Sequence, residues 1–130
     1  MDQTWLGSKL FNRTTAFLQK SLDLRLERHT VLASNIANSE TPNYQARDIP
    51  FAKILNGLMQ NQGALDLRQT HPRHLAGEAE FGIDLEIAAE GVDMDREMAK
   101  LSENHLRFQA EVQVLAKKLE GLRYAIEGGK

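Results

Sequence analysis

Apolar residues in this chain gather into two long periodic segments, one toward each end, with a turn-rich stretch between them. From Asp93 to Glu127, the positions Met94, Met98, Leu101, His105, Phe108, Val112, Leu115, Leu119, Leu122 and Ile126 alternate in steps of four and three, and all but His105 are apolar. This is the spacing of a coiled-coil seam, and it predicts a helix roughly 50 Å long from the helical rise. Asp93 is placed to accept from the free N–H groups at its start, Asp95 and Glu97 suit the positive end of its dipole, and Gly128-Gly129 stops it. The seam toward a partner helix is expected at Met98, Leu101, His105, Phe108, Val112, Leu115, Leu119 and Leu122, with His105 read as a register-setting polar residue.

The same helix carries Leu106, Ala110 and Val114 on the side opposite that seam. The N-terminal segment, from about Ser8 to Asn38, is also striped twice. Leu6, Leu10, Phe17, Leu24 and Val31 form one line, and Phe11, Leu18, Leu22, Leu26, Leu32 and Ile36 form another. A two-helix hairpin cannot bury all of this. Either the middle segment folds back to complete a bundle, or the chain is finished by its neighbours, since exposed apolar stripes of this extent mark interfaces.

Between the arms, Phe51, Ile54, Leu55, Leu58 and Met59 have helical spacing, and Gly57 makes the predicted short helix weak. Leu65 with Leu67, and Phe81, Ile83 and Leu85 with Ile87, alternate as strand residues do, which allows a small hairpin. The rest of Gln60 to Gly91 is polar and interrupted by glycines, and is expected to be mobile without a fixed shape. The expected fold class is mainly all-α: long N- and C-terminal helices paired as an antiparallel coiled coil around an irregular, partly β or disordered, middle.

Composition narrows the functional classes. The 130 residues fit one domain, and 16 basic against 18 acidic side chains, interspersed along the chain, leave no basic stripe for nucleic acid. Without cysteine there is no disulfide framework, thiol nucleophile or cysteine-based zinc site. No apolar run approaches the roughly 20 residues of a membrane span, and both arms mix acids and bases, unlike a membrane-surface helix. The first residues, Met1 to Ser8, lack the basic and apolar parts of a cleaved export signal, so any route out of the cytoplasm is expected to use no cleaved signal peptide.

Chemistry is sparse. His71 and His74 stand three apart, but Pro72 disfavours a shared helical turn, and no third ligand lies at metal-site spacing, so a solvated loop pair is expected rather than a metal site. Asp93, Asp95 and Glu97 lack the dozen-residue frame of a calcium loop and read as helix-start acids. No nucleophile elbow, phosphate loop, dinucleotide fingerprint or zinc-protease motif occurs, so no catalytic residue, cofactor or small-molecule substrate is expected.

The most specific stretch runs from Leu32 to Phe51. Pro42 turns Thr41 away from the helix, Asn38 or Ser39 takes the exit turn, and Asn43 tolerates positive φ before an extended run. Asn35, Asn38, Ala33, Ala37 and Tyr44 make a small, polar cluster of the kind needed where a helix packs closely at a fixed joint. The motif Asn35-Ile36-Ala37-Asn38, two residues, then Thr41-Pro42-Asn43-Tyr44 resembles the N-terminal signature of the bacterial flagellar axial proteins, the rod and hook family. Asn43 stands where glycine is commoner, and both residues accept positive φ. The short chain, Gln45 to Asp48, the Thr70 to Leu75 element and Val92 to Met98 look most like a proximal-rod member. The aromatic-Glu-Ala-Asn ending of another short rod protein is missing.

The resemblance implies a non-enzymatic subunit, with residues 1–42 as an N-terminal helical arm, 43–92 as the irregular middle and 93–130 as the C-terminal helix of one rod-core domain. It implies a subunit-assembly role for Asn35, Ile36, Ala37, Asn38, Thr41, Pro42, Asn43 and Tyr44, and neighbour contacts for Leu106, Ala110 and Val114. Implied partners are neighbouring rod subunits, the MS-ring and export-gate end of the rod, and the flagellar type III export apparatus. The implied location is the periplasmic rod of the basal body. The rival expectation is a cytoplasmic helical-hairpin adaptor or export chaperone, and a hydrolase using His71 and His74 is a remote third.

Overall fold

The computed structural model describes residues 3–60 and 84–128, with residues 3–12 described as backbone. Helix α1 spans Gln3–Ala37, strand β1 Arg47–Asp48, helix α2 Phe51–Gln60, strand β2 Glu86–Ile87 and helix α3 Met94–Glu127. The fold is mainly helical. The two long helices pack together and run antiparallel: Ser21 meets Glu111, Arg25 meets Asn104 and Asn35 meets Glu97, so one numbering rises as the other falls. Asp93 Oδ1 accepts from Arg96 N–H at 3.3 Å, as an N-cap does, and Gly128 ends α3 with its N–H on Tyr124 O. A Cβ on Gly128 would lie 2.7 Å from Tyr124 O, so a side chain there would force the cap open.

The face that α3 turns toward α1 is not the most apolar one. Leu101, Phe108, Leu115 and Leu122 are half-buried, and Glu97, Asn104, Glu111 and Lys118 alternate with them. The fully buried members of α3 are Glu97 and Asn104, both polar. The expected seam is therefore half displaced: Met98, His105, Val112 and Leu119 are exposed, and the inward positions lie one residue earlier. The cause lies on α1, which presents buried Ser21 and Arg25 and, near its end, buried Asn35. Polar groups cut off from water require partners, and Glu111, Asn104 and Glu97 supply them where Val112 and Met98 could not. The buried polar residue at the centre of the seam is Asn104 rather than His105. On α1, Leu24 and Leu32 are buried, Phe17, Leu18, Leu22, Val31 and Ile36 half-buried, and Leu26 exposed; the side chains of Leu6, Leu10 and Phe11 lie outside the described residues.

Helix α2 forms where its spacing predicted, and it is held loosely: none of its residues is fully buried. Its anchor is Phe51, whose ring centroid lies 4.1 Å from the Arg25 guanidinium carbon, a cation–π contact to the middle of α1. Leu85 and Ile87 do lead into a strand, but its partner is β1, with Arg47 opposite Ile87 and Asp48 opposite Glu86 in an antiparallel pair. The ladder continues with Ala88 N–H donating to Ala46 O at 2.9 Å. Residues 84–91 are thus partly tied to the end of the N-terminal arm. Leu65, Leu67, Phe81, Ile83, His71 and His74 lie outside the described residues.

Candidate assembly joint and outer faces

The signature is built around Asn35. Its carboxamide has two donors and two acceptor directions, and all are used. Nδ2 donates to Arg47 O at 2.6 Å and to Glu97 Oε2 at 2.8 Å, while Oδ1 accepts from Arg47 N–H at 3.0 Å and Tyr44 Oη–H at 3.2 Å. Toward Arg47 the side chain therefore acts as a strand partner, exchanging both backbone bonds, and this fixes the chain at the start of β1. Asn35 is fully buried, so these bonds form away from water.

Asn38 has a different task. Its Nδ2 donates back to Ser34 O at 2.8 Å and its Oδ1 accepts from Thr41 Oγ1–H at 3.2 Å, closing the last turn of α1. The chain then reverses through Thr41 N–H to Asn38 O and Tyr44 N–H to Thr41 O, with Asn43 at φ 62°. That left-handed residue is why asparagine serves at this position. The amide bonds of Asn35 and Asn38 are thus made inside the chain, to the backbone of Arg47 and of Ser34. Ile36 and Tyr44 are half-buried, and Ala37, Thr41, Pro42 and Asn43 form the exposed rim.

A charged cluster outside the motif pins the same joint. Arg28 holds Asp48 through two bonds, Nε to Oδ1 at 2.8 Å and Nη2 to Oδ2 at 3.0 Å. Lys100 Nζ lies 3.4 Å from Asp48 and 3.3 Å from Glu97. Burial alone would push the Asp48 carboxyl up. The Arg28 bonds and charge, the Ile49 N–H and Lys100 outweigh it and hold the carboxyl below its ordinary value. Arg28 is raised in turn, chiefly by its hydrogen bond to Asp48. A polar residue placed a few positions beyond an Asn-rich helix end was the available signal, and it needs the reversed chain to become meaningful.

The outer faces complete the site. Leu106 is 66% exposed and Val114 48% exposed, with Ala110 exposed between them on the side of α3 away from α1. A flanking line of Met94, Met98, Val112, Leu119 and Ile126 is also open. These rows leave large apolar side chains open to solvent along the ordered helix. Among the described residues no helix is long and apolar enough to cross a membrane, and no three metal-ligating side chains cluster.

No protein-family model matches the chain. The flagellar basal body rod protein FlgB of Salmonella typhimurium is 36% identical over 127 residues, which span 87% of this chain and 92% of that protein. FlgB of Escherichia coli is 35% identical over the same shares. FlgB of Cereibacter sphaeroides is 37% identical over 118 residues, covering 84% of this chain and 90% of its own.

Proposed function

Because the chain belongs to the family of the flagellar basal body rod protein FlgB, we propose that it is a non-enzymatic subunit of the proximal rod. It self-assembles with other rod proteins into a hollow helical drive shaft that transmits torque and encloses the export channel. The observation that carries this reading is the pairing of a closed inner seam with open apolar faces. Ser21, Arg25 and Asn35 are satisfied by Glu111, Asn104 and Glu97, while Leu106 and Val114 remain bare. A helix pair with paired polar residues inside and bare apolar rows outside is suited to lateral and axial stacking. Contacts between unlike surfaces that do not close a ring generate a tube.

In this reading residues 1–42, 43–92 and 93–130 form one rod-core domain. The rim of Ile36, Ala37, Asn38, Thr41, Pro42, Asn43 and Tyr44, held in shape by Asn35, is one contact surface, and Leu106, Ala110 and Val114 are another. The partners are neighbouring rod subunits and the MS-ring and export-gate end of the rod, reached through the flagellar type III export apparatus. The test is fractionation of cells making the tagged chain. Co-purification with detergent-extracted basal bodies is expected, whereas retention in the soluble fraction with a bound client would favour an adaptor or export chaperone.

A further inference from the structure

The inward face of α3 repeats with a period of seven, both in its apolar members, Leu101, Phe108, Leu115 and Leu122, and in its polar ones, Glu97, Asn104, Glu111 and Lys118. Apolar contacts of this kind barely distinguish one register from another. A slide of seven residues replaces Leu by Phe or by Leu and leaves the inward side chains inward. The buried polar residues do distinguish them. Asn104 Nδ2 donates to Arg25 O at 2.8 Å and Glu111 Oε1 accepts from Arg25 Nε at 2.5 Å. Glu111 Oε2 accepts from Ser21 Oγ at 2.8 Å, and Glu97 accepts from Asn35.

From this we propose that Arg25, Glu97, Asn104 and Glu111 form a register lock, which holds the α1–α3 pair against one-heptad slips that the apolar seam alone would permit. Sliding α3 in one direction brings Glu111 to the place of Asn104, where a carboxylate faces the Arg25 carbonyl with no proton to donate. The same slide brings Lys118 to the place of Glu111, against the Arg25 guanidinium. Sliding it the other way puts Glu97 against that carbonyl and leaves the guanidinium facing the neutral Asn104. Each slip gives at least one of these buried groups a mismatched neighbour, whereas in the native register Glu97 meets Asn35, Asn104 meets both the carbonyl and, at 3.5 Å, the guanidinium of Arg25, and Glu111 meets Arg25 and Ser21. Arg25 also carries Phe51 on its guanidinium, so the side chain that Glu111 holds is the one that seats α2.

The chain has no cysteine, so two introduced ones take spin labels specifically. Cysteines at Gln19 and Ser102, both exposed, are offset along the helix axis, and a seven-residue slip moves α3 by about 10 Å along it. Pulsed electron–electron resonance on the labelled full chain is expected to give one distance population. In the variant Arg25→Leu, Glu97→Leu, Asn104→Leu, Glu111→Leu, helix content by circular dichroism should be retained and a second distance population should appear. A single native population in that folded variant overturns the proposal. If the fourfold variant does not fold, Asn104→Leu alone decides: a second population supports the lock, and a single one refutes it.

Discussion

Asn35 Nδ2 donates to Glu97 Oε2 at 2.8 Å across 62 residues of chain, joining the end of the first long helix to the first turn of the last. Glu97 suits the positive end of the α3 dipole, and its burial and bond to Asn35 give it a second role. The same amide clamps the backbone of Arg47, so one side chain fixes three segments.

Replacing Asn35 by Leu should therefore be costly to the fold itself. It strands the Arg47 N–H and C=O and leaves the Glu97 carboxylate with Lys100 alone. The loss expected is about 2–4 kcal/mol in urea unfolding, more than a single hydrogen bond contributes, because buried partners stay unpaired. Asn38→Leu, which opens a half-exposed helix end, should cost about 1 kcal/mol.

The displaced seam separates Leu115 from Leu119. Leu115→Ala removes a half-buried side chain facing α1 and should destabilise the isolated chain by about 1–2 kcal/mol, below the range for fully buried leucines. Leu119 is 50% exposed, and Leu119→Ala should change stability by less than about 0.5 kcal/mol. Equal losses at both positions would restore the purely apolar seam.

Acid should loosen the joint through Asp48. Its folded pKa lies below the unfolded value, so its contribution is complete above the unfolded pKa and disappears as pH falls through the folded one. The difference in thermal midpoint between the natural chain and Asp48→Asn is expected to be constant near neutrality and to shrink below about pH 4. A difference that grows on acidification would assign Asp48 the opposite sign.

Much of this architecture is legible in the residues. The long helices, the short α2, the Asp93 cap and the positive φ of Asn43 follow from local rules that need no tertiary knowledge. The inward face of α3 did not follow. Counting apolar residues favours Met98, Val112 and Leu119, and only the polar face of α1 reveals why Glu97, Asn104 and Glu111 turn inward. The pairing of Asp48 with Arg28, and of β1 with β2, likewise depends on a chain reversal whose partners are distant in sequence. The role of Asn35 was legible as a joint, but its bonds face the chain's own backbone.

The claim that the bare faces exist for rod assembly is tested most directly by Leu106→Asp with Val114→Asp. Both side chains are solvent-exposed in the single chain, so the variant should fold, with helix content and unfolding midpoint close to the natural values. A carboxylate pressed into a subunit contact loses its water without a partner, at a cost of roughly several kcal/mol. Electron microscopy of basal bodies isolated from cells carrying only this variant is expected to show rings without rods, in a non-motile strain that still makes the subunit. Normal rods in swimming cells would contradict the assembly role of that face.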